Sequence, residues 1–203
     1  TADNNTAVGR SALAANTTGT QNVAVGAYAL DANTTASYNT AVGAYALDTN
    51  TTGEKNTSIG RASLYSNTTG IQNNAFGYEA LYANTTGNYN VAIGNQTLDA
   101  NTTGETNIAV GTLALTASTI GHRNVAIGHG ALQSNTTASD ITAIGYNALN
   151  SHTTGYNNIG IGVSALEACT TGGNNTATGY LTMMSLTTGT ENTAYGQRTL
   201  KSV

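Results

Sequence analysis

The sequence has no proline and no tryptophan, a single cysteine, a single phenylalanine and few charges. Each absence excludes something. One cysteine, Cys169, cannot form an internal disulfide, so the chain is not a disulfide scaffold. Lys, Arg, Asp and Glu together are 8% of the residues, against about 25% in ordinary domains, and the net charge of −4 is spread along the chain. No basic cluster is present to hold nucleic acid or an anionic membrane surface, and no apolar run approaches the ~20 residues of a membrane span. Neither nucleic-acid binding nor membrane insertion is expected. What remains is mostly Thr, Asn, Ala and Gly, which in random order would read as low-complexity disorder.

The order is not random. Written in lines of 17 residues from Asn5, the chain aligns with itself without an insertion or deletion, with lines starting at 5, 22, 39, 56, 73, 90, 107, 124, 141, 158, 175 and 192. The typical line reads NTAVGxxALxxNTTGxx. Position 5 is Gly in all twelve lines, position 9 is Leu except at Met183, and position 1 is Asn except at Ile141. A period this strict is the signature of a repeat architecture.

A 17-residue line is too short for a helix pair, which needs about 33 residues, or a propeller blade, which needs about 40. Its first positions, as in Val23-Ala24-Val25, Ile108-Ala109-Val110 and Ile159-Gly160-Ile161, are β-branched with period-2 alternation and predict a strand that ends at the glycine. The Ala-Leu pair at positions 8 and 9 predicts a second strand or extended side with Leu inward, and NTTG at positions 12–15 a closing turn. The predicted fold class is all-β, a parallel β-solenoid (β-roll or β-helix) of twelve 17-residue coils forming a single domain over residues 1–203. At ~4.8 Å per coil the rod would be roughly 55–60 Å long. No coil can stand alone. Burying one Leu and one Val contributes about 3–6 kcal/mol, whereas ordering each residue's backbone costs about 1–2 kcal/mol, so stability must come from neighbouring coils.

Two columns stand out. The position-1 asparagines Asn5, Asn22, Asn39, Asn56, Asn73, Asn90, Asn107 and Asn124 are candidates for a side-chain amide ladder, with those at position 12 as a second one. Position 3 is small in every line: Ala7, Ala24, Ala41, Ala75, Ala92, Ala109, Ala126 and Ala143 are typical, with Ser58 and Gly160 the exceptions. Position 4 is large and apolar in most lines (Val8, Ile59, Phe76, Ile144, with Thr178 the clear exception), so it is expected to face a core and position 3 to face the other way. An outward site that accepts only small residues either fits a tight bend beside the glycine or is crowded by another surface. The second alternative is favoured, and with it a packing face against a second sheet or another chain.

Little in the sequence carries chemistry. His122, His129 and His152 fall at different positions of different lines and read as surface residues. Asp31 and Asp48 share position 10 in adjacent lines and could approach a Ca²⁺ ion, but the next copy is Tyr65 and a solvated pair is the simpler reading. Cys169 takes the place of an Asn and reads as a small buried hydrophobe. Gly160-Ile161-Gly162 is the repeat's own glycine and not a phosphate loop. Asn-Thr-Thr at 16, 33, 50, 67, 84, 101 and 135 matches the glycosylation sequon, unless those asparagines ladder inward. No catalytic, cofactor-binding or metal-binding residues are assigned.

The segments NTAVG (39–43), NVAIG (90–94) and NIAVG (107–111) resemble the SVAIG-type head repeats of trimeric autotransporter adhesins, which form parallel β-rolls packed as trimers. The full line is more similar still to repeat stretches of phage tail-fibre and bacterial surface-fibre proteins. The resemblance covers essentially the whole chain. It implies a structural role outside the cell or on a virion, association with copies of itself, and no catalytic residues. Thr1 and Val203 fall at positions 14 and 12 of the line with no capping coil beside them, which suggests either a segment of a longer fibre or head-to-tail stacking.

The function expected is therefore a non-enzymatic structural segment of an extracellular fibre or filament, self-associating laterally, as a trimer or head to tail. Two alternatives stay open. The threonine rows at positions 13 and 14, such as Thr51-Thr52, could bind ice. The tyrosine pairs Tyr28/Tyr45 and Tyr65/Tyr82 could bind carbohydrate, with a cell-surface glycan as partner.

Overall fold

A computed structural model describes residues 2–201. Thr1 and Val203, on which the reading of the chain ends rests, lie outside the described residues. Each line contributes one three-residue strand, from β1 (Thr6–Val8) to β12 (Thr193–Tyr195). The twelve strands form one parallel sheet in sequence order, and the register never slips: Ala7 pairs with Ala24, Ala41 with Ser58, Ala126 with Ala143. The chain is an all-β solenoid of about 17 residues per coil.

The second extended side predicted at positions 8 and 9 is absent. The chain instead turns continuously, with left-handed residues at positions 7, 9 and 17, for example Tyr28 (φ 59°), Leu30 (φ 52°) and Tyr38 (φ 65°). Such a conformation costs about 1–2 kcal/mol per non-glycine residue. The offset is visible in the hydrogen bonds. Tyr28 N–H donates to Arg10 O of the preceding coil at 2.8 Å, and Leu30 N–H donates to Ala46 O of the following coil at 3.0 Å. Alternating handedness thus aims successive amides up and down the rod, and the turns are laddered as the strands are.

Glycine at position 5 is required twice over. Gly26 has φ +136°, and a Cβ there would meet Gly43 O at 2.5 Å. The carbonyl of each coil lies where the side chain of the previous one would project.

The inside of the coil is narrow. The position-9 leucines from Leu30 to Leu166 are fully buried, with the position-8 residue beside them, whereas Leu13 and Leu200 in the two end coils are half-buried and exposed, respectively. Across from them stand the position-3 residues, also fully buried from Ala24 to Ala177. A Cβ at Gly160 would lie 3.1 Å from Leu149 Cδ1 and 3.2 Å from Ala165 O, so the leucine leaves room for a methyl group and little more. This corrects the orientation expected of the strand. Ala24, Ala41, Ala75, Ala92, Ala109, Ala126 and Ala143 do not form an outward packing face; they line the core and are covered by the chain's own opposite wall. Ala7, in the first coil, is the exposed member. Positions 2 and 4, being opposite in direction, point out. Val8 is 58% exposed, Ile93 and Ile108 each 41% and Ile159 39%.

Candidate functional site

Three surfaces could carry function: the asparagine interior, the outward face of the sheet, and the tyrosine flank.

The structure places the position-1 asparagines in one column running up the rod. Asn22 Nδ2 donates to Ala36 O of its own coil at 2.8 Å, and its Oδ1 accepts from Asn39 N–H of the next coil at 2.9 Å. The same pair of bonds recurs at Asn5, Asn39, Asn56, Asn73, Asn90, Asn107 and Asn124. Each amide thus joins a carbonyl in its own coil to the backbone of the coil above, satisfying groups that would otherwise be buried unpaired.

The position-12 asparagines behave differently, bonding side chain to side chain. Asn67 Nδ2 donates to Asn50 Oδ1 at 2.8 Å, Asn84 to Asn67 at 2.8 Å and Asn101 to Asn84 at 2.8 Å. Asn33, Asn50, Asn67, Asn84, Asn101 and Asn135 are buried, so these sequons face the interior. This ladder breaks at Ser118, where Asn101 Oδ1 and Ser118 Oγ are buried without a hydrogen-bond partner.

At His152 the expectation of a surface histidine is overturned, because the residue is fully buried in the asparagine column. Its Nε2 donates to Gly155 O at 2.8 Å, and its Nδ1 has no partner. In this coil Ile141 replaces the position-1 Asn, so the imidazole supplies the bond to Gly155 O that an amide gives elsewhere. Burial pushes its pKa below the usual value. Cys169, next in the column, is also fully buried, with its thiol pKa pushed up by burial.

The outward face of the sheet carries positions 2 and 4 of every line. No residue at either position is charged from Thr6 to Tyr195, and most are Val, Ile or Thr. The face is therefore a continuous, regular β-branched surface along the whole rod.

The threonine rows are not equivalent. Position-13 hydroxyls are engaged: Thr51 Oγ1 donates to Thr68 O at 3.0 Å and Thr85 Oγ1 to Thr102 O at 3.0 Å. Thr52 and the other position-14 threonines among the described residues stand exposed.

On the flank, Tyr28 stacks on Tyr45 (centroids 5.1 Å apart) and Tyr65 on Tyr82 (5.2 Å), with Tyr45 and Tyr65 edge to face at 6.4 Å. Tyr45, Arg61, Ala62, Tyr65, Glu79 and Tyr82 line a shallow cleft of about 260 Å³. Asp31 and Asp48 adjoin this flank. Burial, and then the charge of Asp31, raises the Asp48 pKa, and Asp48 in turn raises that of Tyr65. Among the described residues, no group of three or more His, Cys, Asp or Glu side chains could hold a metal ion. Nor, among those residues, is any helix long and apolar enough to cross a membrane.

Sequence reasoning missed the interior position of the alanines, yet one signal for it exists. The only Ser at position 3, Ser58, coincides with the only Ser at position 8, Ser63, and Ser58 Oγ donates to Ser63 O at 2.8 Å across the core. A paired polar substitution marks two positions that face each other.

Comparison with protein-family models, with curated proteins and with solved structures finds no match.

Proposed function

We propose that the chain is a non-enzymatic structural segment of an extracellular fibre or filament that associates laterally with copies of itself. The observation that carries this reading is the uncharged β-branched face formed by positions 2 and 4 of all twelve lines. Position 4 of this face is Val, Ile or Phe in ten lines and position 2 mixes Val and Ile with Thr; a patch of several hundred Å² on a soluble protein is often functional. This one, at ~4.8 Å per strand and two side chains wide, spans roughly 50 Å by 10 Å, or about 500 Å² on each copy. Two such faces together reach the ~1,000 Å² at which specific association becomes plausible. The partner most suited to a repeating, uncharged sheet is another sheet of the same pitch, because aligned faces can interdigitate.

The test uses outward charges. The triple variant Ile59→Glu, Ile93→Glu and Ile127→Glu leaves the core untouched, so its circular dichroism should match that of the parent. The parent should form oligomers or bundles by light scattering and negative-stain imaging, and the variant single rods. A parent that stays monomeric at high concentration, or a variant that associates equally well, removes the proposal. Ice binding is the weaker reading, since the position-13 hydroxyls are bonded to carbonyls and only the position-14 row is left to order water. Thermal hysteresis measured on the monomeric triple variant distinguishes the two.

A further inference from the structure

The cleft on the tyrosine flank has a specific origin. Position 7 reads Tyr28, Tyr45, Ala62, Glu79 in four successive coils. Parallel stacking continues from Tyr28 to Tyr45 and then gives way to an edge-to-face contact with Tyr65, because Ala62 carries a methyl group where a third stacked ring would lie. The cleft lies over this gap, with Ala62 at its floor, only 5% exposed. Tyr45, one face of which packs on Tyr28, forms its lower wall, the stacked pair Tyr65 and Tyr82 forms one side, and Glu79 stands above.

The polar groups at this gap come as an opposed pair. Arg61 Nη1 lies 3.8 Å from Glu79 Oε1, beyond hydrogen-bond length, with the arginine side chain 57% exposed. Arg61 also donates to Tyr78 Oη at 3.3 Å, and Glu79 Oε2 accepts from Gln96 Nε2 at 3.2 Å. The guanidinium keeps free donors, and the Glu79 carboxylate, which also takes the hydrogen bond of the Tyr78 hydroxyl, has lone pairs to spare.

We propose that this cleft is a saccharide-binding site taking one pyranose ring of a neutral glycan. Its apolar C–H face would lie on Tyr45 and its adjacent hydroxyls between Arg61 and Glu79. A sugar hydroxyl both donates and accepts, which is what a guanidinium and a carboxylate set side by side can satisfy together. An anionic ligand would meet Glu79 and Asp48, and a cationic one would meet Arg61. The small volume suits a single ring better than a drug-sized ligand. The site does not depend on lateral association of the rod, so the two readings fail separately.

The experiment is an array of defined neutral oligosaccharides (gluco-, manno-, galacto-, xylo- and chito-series), followed by calorimetry with the best binder. Choline and tetramethylammonium serve as cationic probes. The key variant is Ala62→Tyr, which completes the aromatic column. Ala62 has φ 54°, and tyrosine already occupies this position at Tyr28 (φ 59°) and Tyr45 (φ 61°), so the backbone accepts it. The parent should bind at least one neutral oligosaccharide. Ala62→Tyr and Tyr45→Ala should each weaken binding by about tenfold or more, with the dichroism spectrum and melting temperature of Ala62→Tyr retained. The proposal is overturned by an array without hits, by Ala62→Tyr binding within about threefold of the parent, or by a Tyr45-dependent preference for the ammonium probes.

Discussion

The break in the position-12 ladder allows a stabilising substitution to be predicted from geometry alone. Asn101 Oδ1 is buried without a partner because the next residue up is Ser118, whose Oγ is likewise unpaired. In intact parts of the ladder that oxygen accepts from the amide above it, as Asn67 Oδ1 does from Asn84 at 2.8 Å. Ser118→Asn restores the donor, and the new amide can also reach Gly121 O as its counterparts reach their own position-15 carbonyls. An unsatisfied buried polar group costs about 1–3 kcal/mol, and the extra ordering of an asparagine side chain subtracts under about 1 kcal/mol. With about 0.5 kcal/mol taken for the ordering, the net gain should be about 0.5–2.5 kcal/mol. The mirror experiment moves the defect. Asn84→Ser orphans Asn67 Oδ1 and one N–H of Asn101 and leaves a small void, a loss of about 2–4 kcal/mol. Guanidinium midpoints report the global effect. Because coils of a solenoid can open in groups, hydrogen exchange of amides in the coils around residues 107 and 124 reports the local one. An unchanged or lowered midpoint for Ser118→Asn, together with a loss below about 0.5 kcal/mol for Asn84→Ser, would refute the view that the asparagine column holds the coils together.

Three further outcomes are expected. His152 is buried and its folded pKa lies below its unfolded value near 6.5. Its contribution to stability is therefore complete above about pH 6.5 and is lost as acid protonates it through the lower folded value, so His152→Asn should flatten the stability profile between neutral and mildly acidic pH in denaturant titrations. Ala92→Glu forces a carboxylate into a space that holds a methyl group and should abolish the β-sheet dichroism, whereas Ile93→Glu, one residue away and pointing out, should cost under about 1 kcal/mol. The Cys169 thiol, buried and with its pKa raised, should resist a disulfide reagent in the native state and react on the timescale of unfolding in denaturant; immediate reaction would show that its coil opens readily.

The parallel sheet and its register were legible because a strict period leaves no freedom: if Gly9, Gly26 and Gly43 each bend the chain at the same point, identical residues must stack. The columns in which Asn22, Leu30 and Tyr28 stand follow from the same fact. The left-handed conformation of Leu30 was not legible, since leucine is a poor choice for it and the strain is offset by the ladder bond to Ala46 O and by burial of the side chain. The cleft at Ala62 was not legible either, because it depends on how position 7 sits beside position 10 around a turn.

By itself the sequence determined the period, the parallel stacking and which residues share a column. Tertiary structure alone decided which side of the strand is inside. Alternation places Ala92 and Ile93 on opposite faces but assigns neither to the core. The assignment comes from the width of the coil: position-9 leucines fill the interior so fully that the facing wall admits only residues as small as Gly, Ala or Ser, and the larger side chains are turned out to the surface.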